Sequence, residues 1–480
     1  MSIDVVESLR NALGDRQVVS TPEDLSPYLV DWRGQWHGTA LAAVLPETVQ
    51  DVSTAMGVCT QAGVAVVPHG GNTSMSGGAI PLDQGRSVVV SVARMKQIRS
   101  LDTVAATMTV EAGCTLSAVR DAAEDAGKLF PLSIGSEGSC QVGGIISTNA
   151  GGTGVLRYGN TRDLVLGLEV VLPDGEIWNG LRSLRKDNSG YDLKQLFIGA
   201  EGTLGIVTAA VLKLFPQPKD VAMAWVAVRN VPEALELLAR TQDRFDTRLT
   251  AFELLSWTQI ETVLRGLTGS VNPLADAHPW NILIELSDPL PEAELTQHLT
   301  QHLADMLDSD KIVDATVAES DRQASALWQL RHSISDVNKA DGTGVTLDVS
   351  VPLTEVPGFI DDADEVVAGS FPDAKVFVVS HLGDGNVHYV VHYPHPGWQQ
   401  LEDPDSTRQA IFDQIHAVAM SHEGSFSAEL GIGIKLVDEV GRYKSPIELK
   451  LLRTVKDALD PHGRMNPGKL LPNTDRQPSQ

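Results

Sequence analysis

The feature that most restricts this chain is a glycine-rich loop set directly behind an apolar run: VAVV is followed by PHGGNTSMSGGAIP, from Pro68 to Pro81. Glycines and small hydroxyl residues after a strand let backbone N–H groups converge on an anion such as a diphosphate. Taken alone, such a loop is also what a plain tight turn looks like. The chemistry recurs at Gly135 to Gly154 (GSEGSCQVGGIISTNAGGTG). It recurs again at Arg185 to Val207 (RKDNSGYDLKQLFIGAEGTLGIV), where a strand-turn-strand corner is the bland alternative. Two such loops in one domain favour a large, phosphate-bearing ligand with polar ring edges. No GxGxxG fingerprint is present, so a Rossmann nicotinamide site is not supported.

Around these loops apolar runs alternate with helical patterns, which predicts an α+β first unit. Strands are expected at Ser87 to Ser91, Thr107 to Val110 and Leu164 to Val171, with helices at 49–63 and Leu116 to Ala126. The pattern breaks around Pro216 to Lys219. Beyond it, long helices (Val231 to Asp246, Pro291 to Ser309, Ser406 to His422) alternate with strands at Trp225 to Val228, Trp280 to Leu286, Gly344 to Val351, Val376 to His381 and Val387 to His392. An antiparallel sheet with helices on one face fits that alternation. A last helix at Pro446 to Leu459 leads into DPHGRMNPGKLL, and the tail from Pro472 to Gln480 reads as unstructured. The domain division expected is therefore 1–218, 219–425 and a returning segment 426–480.

The formal charge of −25 argues against nucleic acid or an anionic membrane surface as partner, because both need basic patches. An anionic small substrate stays possible if a local cationic pocket exists. Cys59, Cys114 and Cys140 form no CxxC pair, so no disulfide framework or iron–sulfur module is readable, and a reducing cytoplasm is expected. The N-terminus reads as an amphipathic helix without a signal's apolar run, and no segment reaches the roughly 20 apolar residues a membrane span needs.

The stretches PHGGNTSMSGGAIP, GGIISTNAGGTGVLRYGNTRDLVLGLEVVLPDG and DNSGYDLKQLFIGAEGTLGIVT resemble the FAD domain of the vanillyl-alcohol-oxidase and p-cresol-methylhydroxylase superfamily. The resemblance runs from about Tyr28 to Leu471 and is closest to the branch of D-2-hydroxyglutarate dehydrogenases, D-lactate dehydrogenases and the large subunit of glycolate oxidase. It implies a two-lobed FAD-binding domain. Pro68, Gly70, Gly71, Asn72, Thr73 and Ser74 would line the diphosphate. Gly143, Gly144, Thr148 and Asn149 would run along the cofactor, with Tyr158, Gly159, Gly202, Gly205, Val207 and Asn466 completing the cradle. Asn72, not histidine, follows the glycine pair, which implies non-covalent FAD.

The segment SHLGDGNVHY holds His381 and His388 on either side of a Gly-Asp-Gly-Asn turn, and a hairpin there would bring the imidazoles to one side of its neck. Two histidines near one turn are also often just packed or solvated. The resemblance implies Glu429 as the acidic third ligand of a divalent metal, zinc first, with manganese or another first-row ion open. It implies that Arg331 clamps a substrate carboxylate, although a helix-surface salt bridge is an equal reading from the sequence. Asn386 could bond the substrate or orient a ligand. The implied reaction is dehydrogenation of a D-2-hydroxy acid (D-2-hydroxyglutarate, D-lactate or a relative) with electrons passed to an external acceptor, a quinone or an electron-transfer flavoprotein. A homodimer follows from family habit.

Two departures stand out. Relatives commonly read AEHGIG where this chain has AELGIG, so Leu430 occupies the position of the expected general base. An impaired or repurposed flavoprotein of the same fold is the alternative this raises, and a metal-free oxidase of aryl alcohols is a third reading. Thr346 stands two residues before Asp348, where hydroxyglutarate-type relatives often carry Lys for a distal carboxylate.

Overall fold

A computed structural model describes residues 4–82 and 86–472; of the tail read as unstructured, residues 473–480 lie outside the described residues. The chain separates into two compact units. The first comprises 1–152, 159–217 and 429–480, and the second 153–158 and 218–428. The short excursion 153–158 was not expected in the second unit. It is held there by Arg157, whose Nη1 donates to the Ser287 carbonyl at 2.6 Å and to the Ser287 Oγ at 2.5 Å.

In the first unit, Ala42–Val44, Ser87–Ser91 and Ala65–His69 pair in parallel, with Val18–Val19 added antiparallel at the edge. The central strand Ser87–Ser91 is buried throughout, as a parallel strand covered on both faces should be. The helix Val49–Ala62 packs against this sheet through Val52, Ala55, Met56 and Cys59. It starts in a capping box of Thr48 with Asp51 and stops at left-handed Gly63. A second sheet of Ile98–Asp102, Thr107–Glu111, Ile206–Lys213, Val165–Val171 and Ile177–Gly180 is antiparallel.

The second unit is built on seven antiparallel strands in the order Asp314–Val317, Asp220–Val228, Trp280–Asp288, Leu249–Ser256, Lys375–His381, Asn386–Pro394 and Gly342–Ser350. Alternation along each strand divides its residues between two faces. Val226, Leu254, Ile284, Leu347, Val378 and Tyr389 join a large core with the helices Val231–Phe245, Leu295–Asp308, Val356–Ser370 and Pro404–Ser421. Trp225, Leu255, Leu283 and Val379 point to the other side, where Trp257–Gly266, Asp321–His332 and Ile334–Asp341 pack. The expected helical layer is thus present, and a second, smaller group of helices covers part of the opposite face. That face carries polar residues among its apolar ones, and they form the site described below.

Candidate active site

In the first unit the three glycine stretches converge. Gly71 leaves no room for a side chain: a Cβ there would lie 2.1 Å from the Ser139 carbonyl oxygen, so the first loop seats directly on the second. A Cβ on Gly70 would lie 3.5 Å from the Gly144 backbone nitrogen, while Gly144 itself borders open space. The third stretch turns at Gly202, whose φ of +69° and approach to Pro68 suit only glycine. The returning segment closes the ring: Asn466 donates from its backbone to the Val66 carbonyl at 2.8 Å and from Nδ2 to the carbonyls of Gly78 (3.0 Å) and Glu201 (2.7 Å).

Several residues expected along the cofactor also have duties within the fold. Thr148 returns its hydroxyl to the Gly144 carbonyl, Asn149 caps its helix in the left-handed region and accepts from the Arg162 N–H, and Asn72 donates to the Val30 carbonyl. The Ser74 Oγ accepts from the Ser76 N–H, and Gly205 and Val207 lie buried where the turn enters Ile206–Lys213. Gly159 precedes the capping box of Asn160 and Asp163, while Gly143 packs on Ala112. Tyr158 is part of the second unit, with the Arg157 guanidinium 5.0 Å from its ring.

The unmatched polar atoms in this unit test whether a flavin fits. Gln141 Oε1, Asn466 Oδ1 and Lys469 Nζ are buried without a hydrogen-bond partner. Burial pushes the Lys469 ammonium down to about 8, with the Glu201 carboxylate pulling the other way. The buried His69 ring lies edge-on to Tyr28, and burial holds it neutral, at about 4, with the Gly70 backbone opposing weakly. Buried polar groups of this kind call for a partner, and an anionic ligand with polar ring edges supplies one. The residues present therefore fit FAD.

In the second unit, strand register gathers the other half of the chemistry. Glu253 is paired with His381, Asn386 with His381, and Asp348 with His388, all on the face away from the large core. The two imidazoles lie 5.3 Å apart and nearly perpendicular. Glu429 directly follows Ala428, whose N–H bonds the Asp348 carbonyl at 3.1 Å. One ligand atom each from His381, His388 and Glu429 lies within 4.8 Å of the others. Burial pushes His388 down to about 4, which favours the neutral imidazole that metals bind. Two imidazoles and a carboxylate fit zinc or another first-row divalent ion, with coordination positions to spare.

The carboxylates behind these ligands were not legible in the sequence. Glu253 accepts from His381 Nδ1 at 2.6 Å and from Arg331 Nε at 2.7 Å. Burial disfavours its charge, but the charges and hydrogen bonds of His381 and Arg331 outweigh that and hold it at about 2. Asp348 lies 3.5 Å from His388 Nδ1 and accepts from Asn386 Nδ2 at 2.9 Å. Asn386 thus orients the carboxylate behind a ligand, and its second Nδ2 bond goes to the Val349 carbonyl. Arg331 is not on the surface. Its Nε is committed to Glu253, and among the described residues its two terminal nitrogens make no hydrogen bond. Leu430 sits in the first unit, its carbonyl accepting from the Ser76 hydroxyl at 3.1 Å.

Fold and site together define a flavoprotein of the FAD-linked oxidase class, with a fold like that of p-cresol methylhydroxylase. The structure resembles p-cresol methylhydroxylase with substrate bound (TM-score 0.75, 17% identity, covering 97% of this chain and 96% of that one). It likewise resembles 4-ethylphenol oxidase from Gulosibacter chungangensis (TM-score 0.72, 18% identity, 98% of each chain). At such identities the likeness is one of fold. Residues 217–470 match the family of FAD linked oxidases, C-terminal domain, and residues 40–180 match an FAD binding domain. Bos taurus D-2-hydroxyglutarate dehydrogenase, mitochondrial, is 37% identical over 457 residues, 95% of this chain and 81% of that protein. The Arabidopsis thaliana protein of the same name is 35% identical over 470 residues, 98% of this chain and 82% of that one. D-2-hydroxyglutarate dehydrogenase from Xanthomonas citri pv. viticola is 36% identical over 478 residues, 98% and 97% of the two chains. This chain belongs to the FAD-linked oxidase family, among relatives named D-2-hydroxyglutarate dehydrogenase, and is an FAD-dependent dehydrogenase.

Proposed function

We propose that the protein dehydrogenates a D-2-hydroxy acid to the 2-oxo acid with the help of a divalent metal, zinc being the first choice. The cluster of His381, His388 and Glu429, backed by Glu253 and Asp348, is the observation that carries this reading. In the reaction the α-carbon loses a hydride and the hydroxyl loses a proton. FAD, when bound, supplies the hydride acceptor. A divalent ion, when bound, polarises the substrate hydroxyl and fixes the face presented. The terminal nitrogens of Arg331 hold the substrate carboxylate through paired, charge-assisted hydrogen bonds. The neutral Thr346 leaves a distal carboxylate without a cation at that position, which favours D-lactate-like acids over D-2-hydroxyglutarate among the substrates.

The electrons leave to an external acceptor, a quinone or an electron-transfer flavoprotein. A reducing compartment such as the cytoplasm suits the three buried, free cysteines, and a homodimer rests on family habit alone. No helix among the described residues is long and apolar enough to cross a membrane. Anaerobic addition of D- and L-2-hydroxy acids, with and without zinc, tests the reading. It requires the flavin absorbance to bleach with a D-acid and metal together, and no bleaching with any acid would refute it.

Leu430 favours a second reading, a flavoprotein of this fold whose turnover is impaired, because a leucine accepts no proton. Slow bleaching that Leu430→His accelerates would select it.

A further inference from the structure

We infer that Glu253 is a positioning residue shared by the metal site and the substrate clamp: one buried carboxylate sets the tautomer of His381 with one oxygen and the direction of Arg331 with the other. The inference rests on the metal reading above and goes beyond it, since Glu253 touches neither metal nor substrate.

The geometry is specific. Glu253 Oε1 faces His381 Nδ1 at 2.6 Å, and Oε2 faces Arg331 Nε at 2.7 Å. A carboxylate facing a ring nitrogen at this distance accepts, so the proton of the imidazole is on Nδ1 and Nε2 is the nitrogen whose lone pair can serve as the ligand atom. Glu253 is 1% exposed, so water does not compete for either bond. Three segments far apart in sequence meet at this one side chain: the strand Leu249–Ser256, the strand Lys375–His381 and the helix Asp321–His332. A second, half-buried carboxylate pins the same helix, for Trp328 Nε1 donates to Glu285 at 2.7 Å one turn before Arg331. The helix is thereby held at two points, and the Arg331 terminal nitrogens take up one direction. Asp348 stands behind His388 at the longer distance of 3.5 Å, so the tighter of the two supports is Glu253.

Glutamine at this position offers one acceptor oxygen and one amide that only donates, so it satisfies one of the two donors and repels the other. Aspartate keeps the charge but is one methylene too short to span both. Cobalt(II) titrated into chelator-treated holoenzyme reads the consequence by calorimetry and by the visible ligand-field absorption of the ion. Wild type should bind one cobalt per chain. In Glu253→Gln and Glu253→Asp the affinity should fall about 10- to 100-fold and the ligand-field band should change shape, with near-ultraviolet dichroism reporting that the second unit is folded. Wild-type affinity in whichever variant folds would overturn the inference while leaving the metal reading intact. Failure of the wild type itself to take up cobalt would overturn the metal reading, and this inference with it.

Discussion

Glu201 joins two distant stretches of the first unit: its two carboxylate oxygens accept the backbone N–H groups of Ile432 and Gly433, each at 2.7 Å. The turn that carries EGTLGI is thereby bonded to the returning segment that carries Leu430. Burial raises the Glu201 carboxyl above its ordinary range, with the two N–H bonds and Lys469 acting against that rise. Glu201→Ala would leave both donors without an acceptor, at roughly 1–3 kcal/mol each. A lowered urea midpoint and weaker FAD retention are expected, and an unchanged midpoint would contradict this role.

Lys469 yields a pH prediction for the flavin-free protein. Its folded-state pKa is about 8 against an ordinary 10.5, because burial disfavours the ammonium. Between those values the unfolded chain holds a proton that the folded chain has released, so this group makes stability rise with pH across that window. The rise is on the order of 3 kcal/mol. Denaturation at pH 7.5 and pH 10 should show it in wild type relative to Lys469→Met, and parallel pH profiles for the two proteins would exclude it. At pH 7 the Met variant should be the more stable flavin-free protein and the weaker FAD binder.

Metal removal should separate the two halves of the chemistry. Stringent chelation is expected to abolish D-2-hydroxy acid oxidation while the protein stays yellow, with zinc or manganese restoring turnover. Glu429→Gln should reproduce the loss without affecting flavin content. Full activity after chelation would instead favour a metal-free oxidase.

At position 430 the expected change is a gain. General bases contribute roughly 10²–10⁴-fold in rate, so Leu430→His should raise the rate of flavin reduction by at least about tenfold. Its pH profile should acquire a limb that the parent lacks. No gain would mean that the proton leaves by a route independent of this position.

Much of the site could be read in the chain because its pieces are local. The glycine loops announce themselves by composition, and His381 and His388 flank a single turn, so eight residues of sequence contain both. Glu253 and Asp348 carry no such mark. Each is one acidic residue in an apolar strand, and its meaning comes from the residue opposite it in the sheet, 128 positions away for Glu253 and His381. Arg331 reads equally as a clamp and as a surface ion pair in the sequence, and the bond to buried Glu253 that takes it off the surface is equally non-local. The excursion 153–158 escaped notice because it lies inside a glycine-rich stretch and is captured by Ser287, more than a hundred residues later.

The sequence by itself determined the alternation of strands and helices, the break near Pro216 and the kinds of side chain available, since periodicity and glycine placement act over a few residues. Tertiary structure alone decided which carboxylate stands behind which histidine, where Tyr158 goes, and that Glu201 grips the segment of Leu430. The physical reason is register: a strand slipped by one residue would turn Glu253, His381 and Asp348 to the opposite face, and only the packed core on that face prevents it.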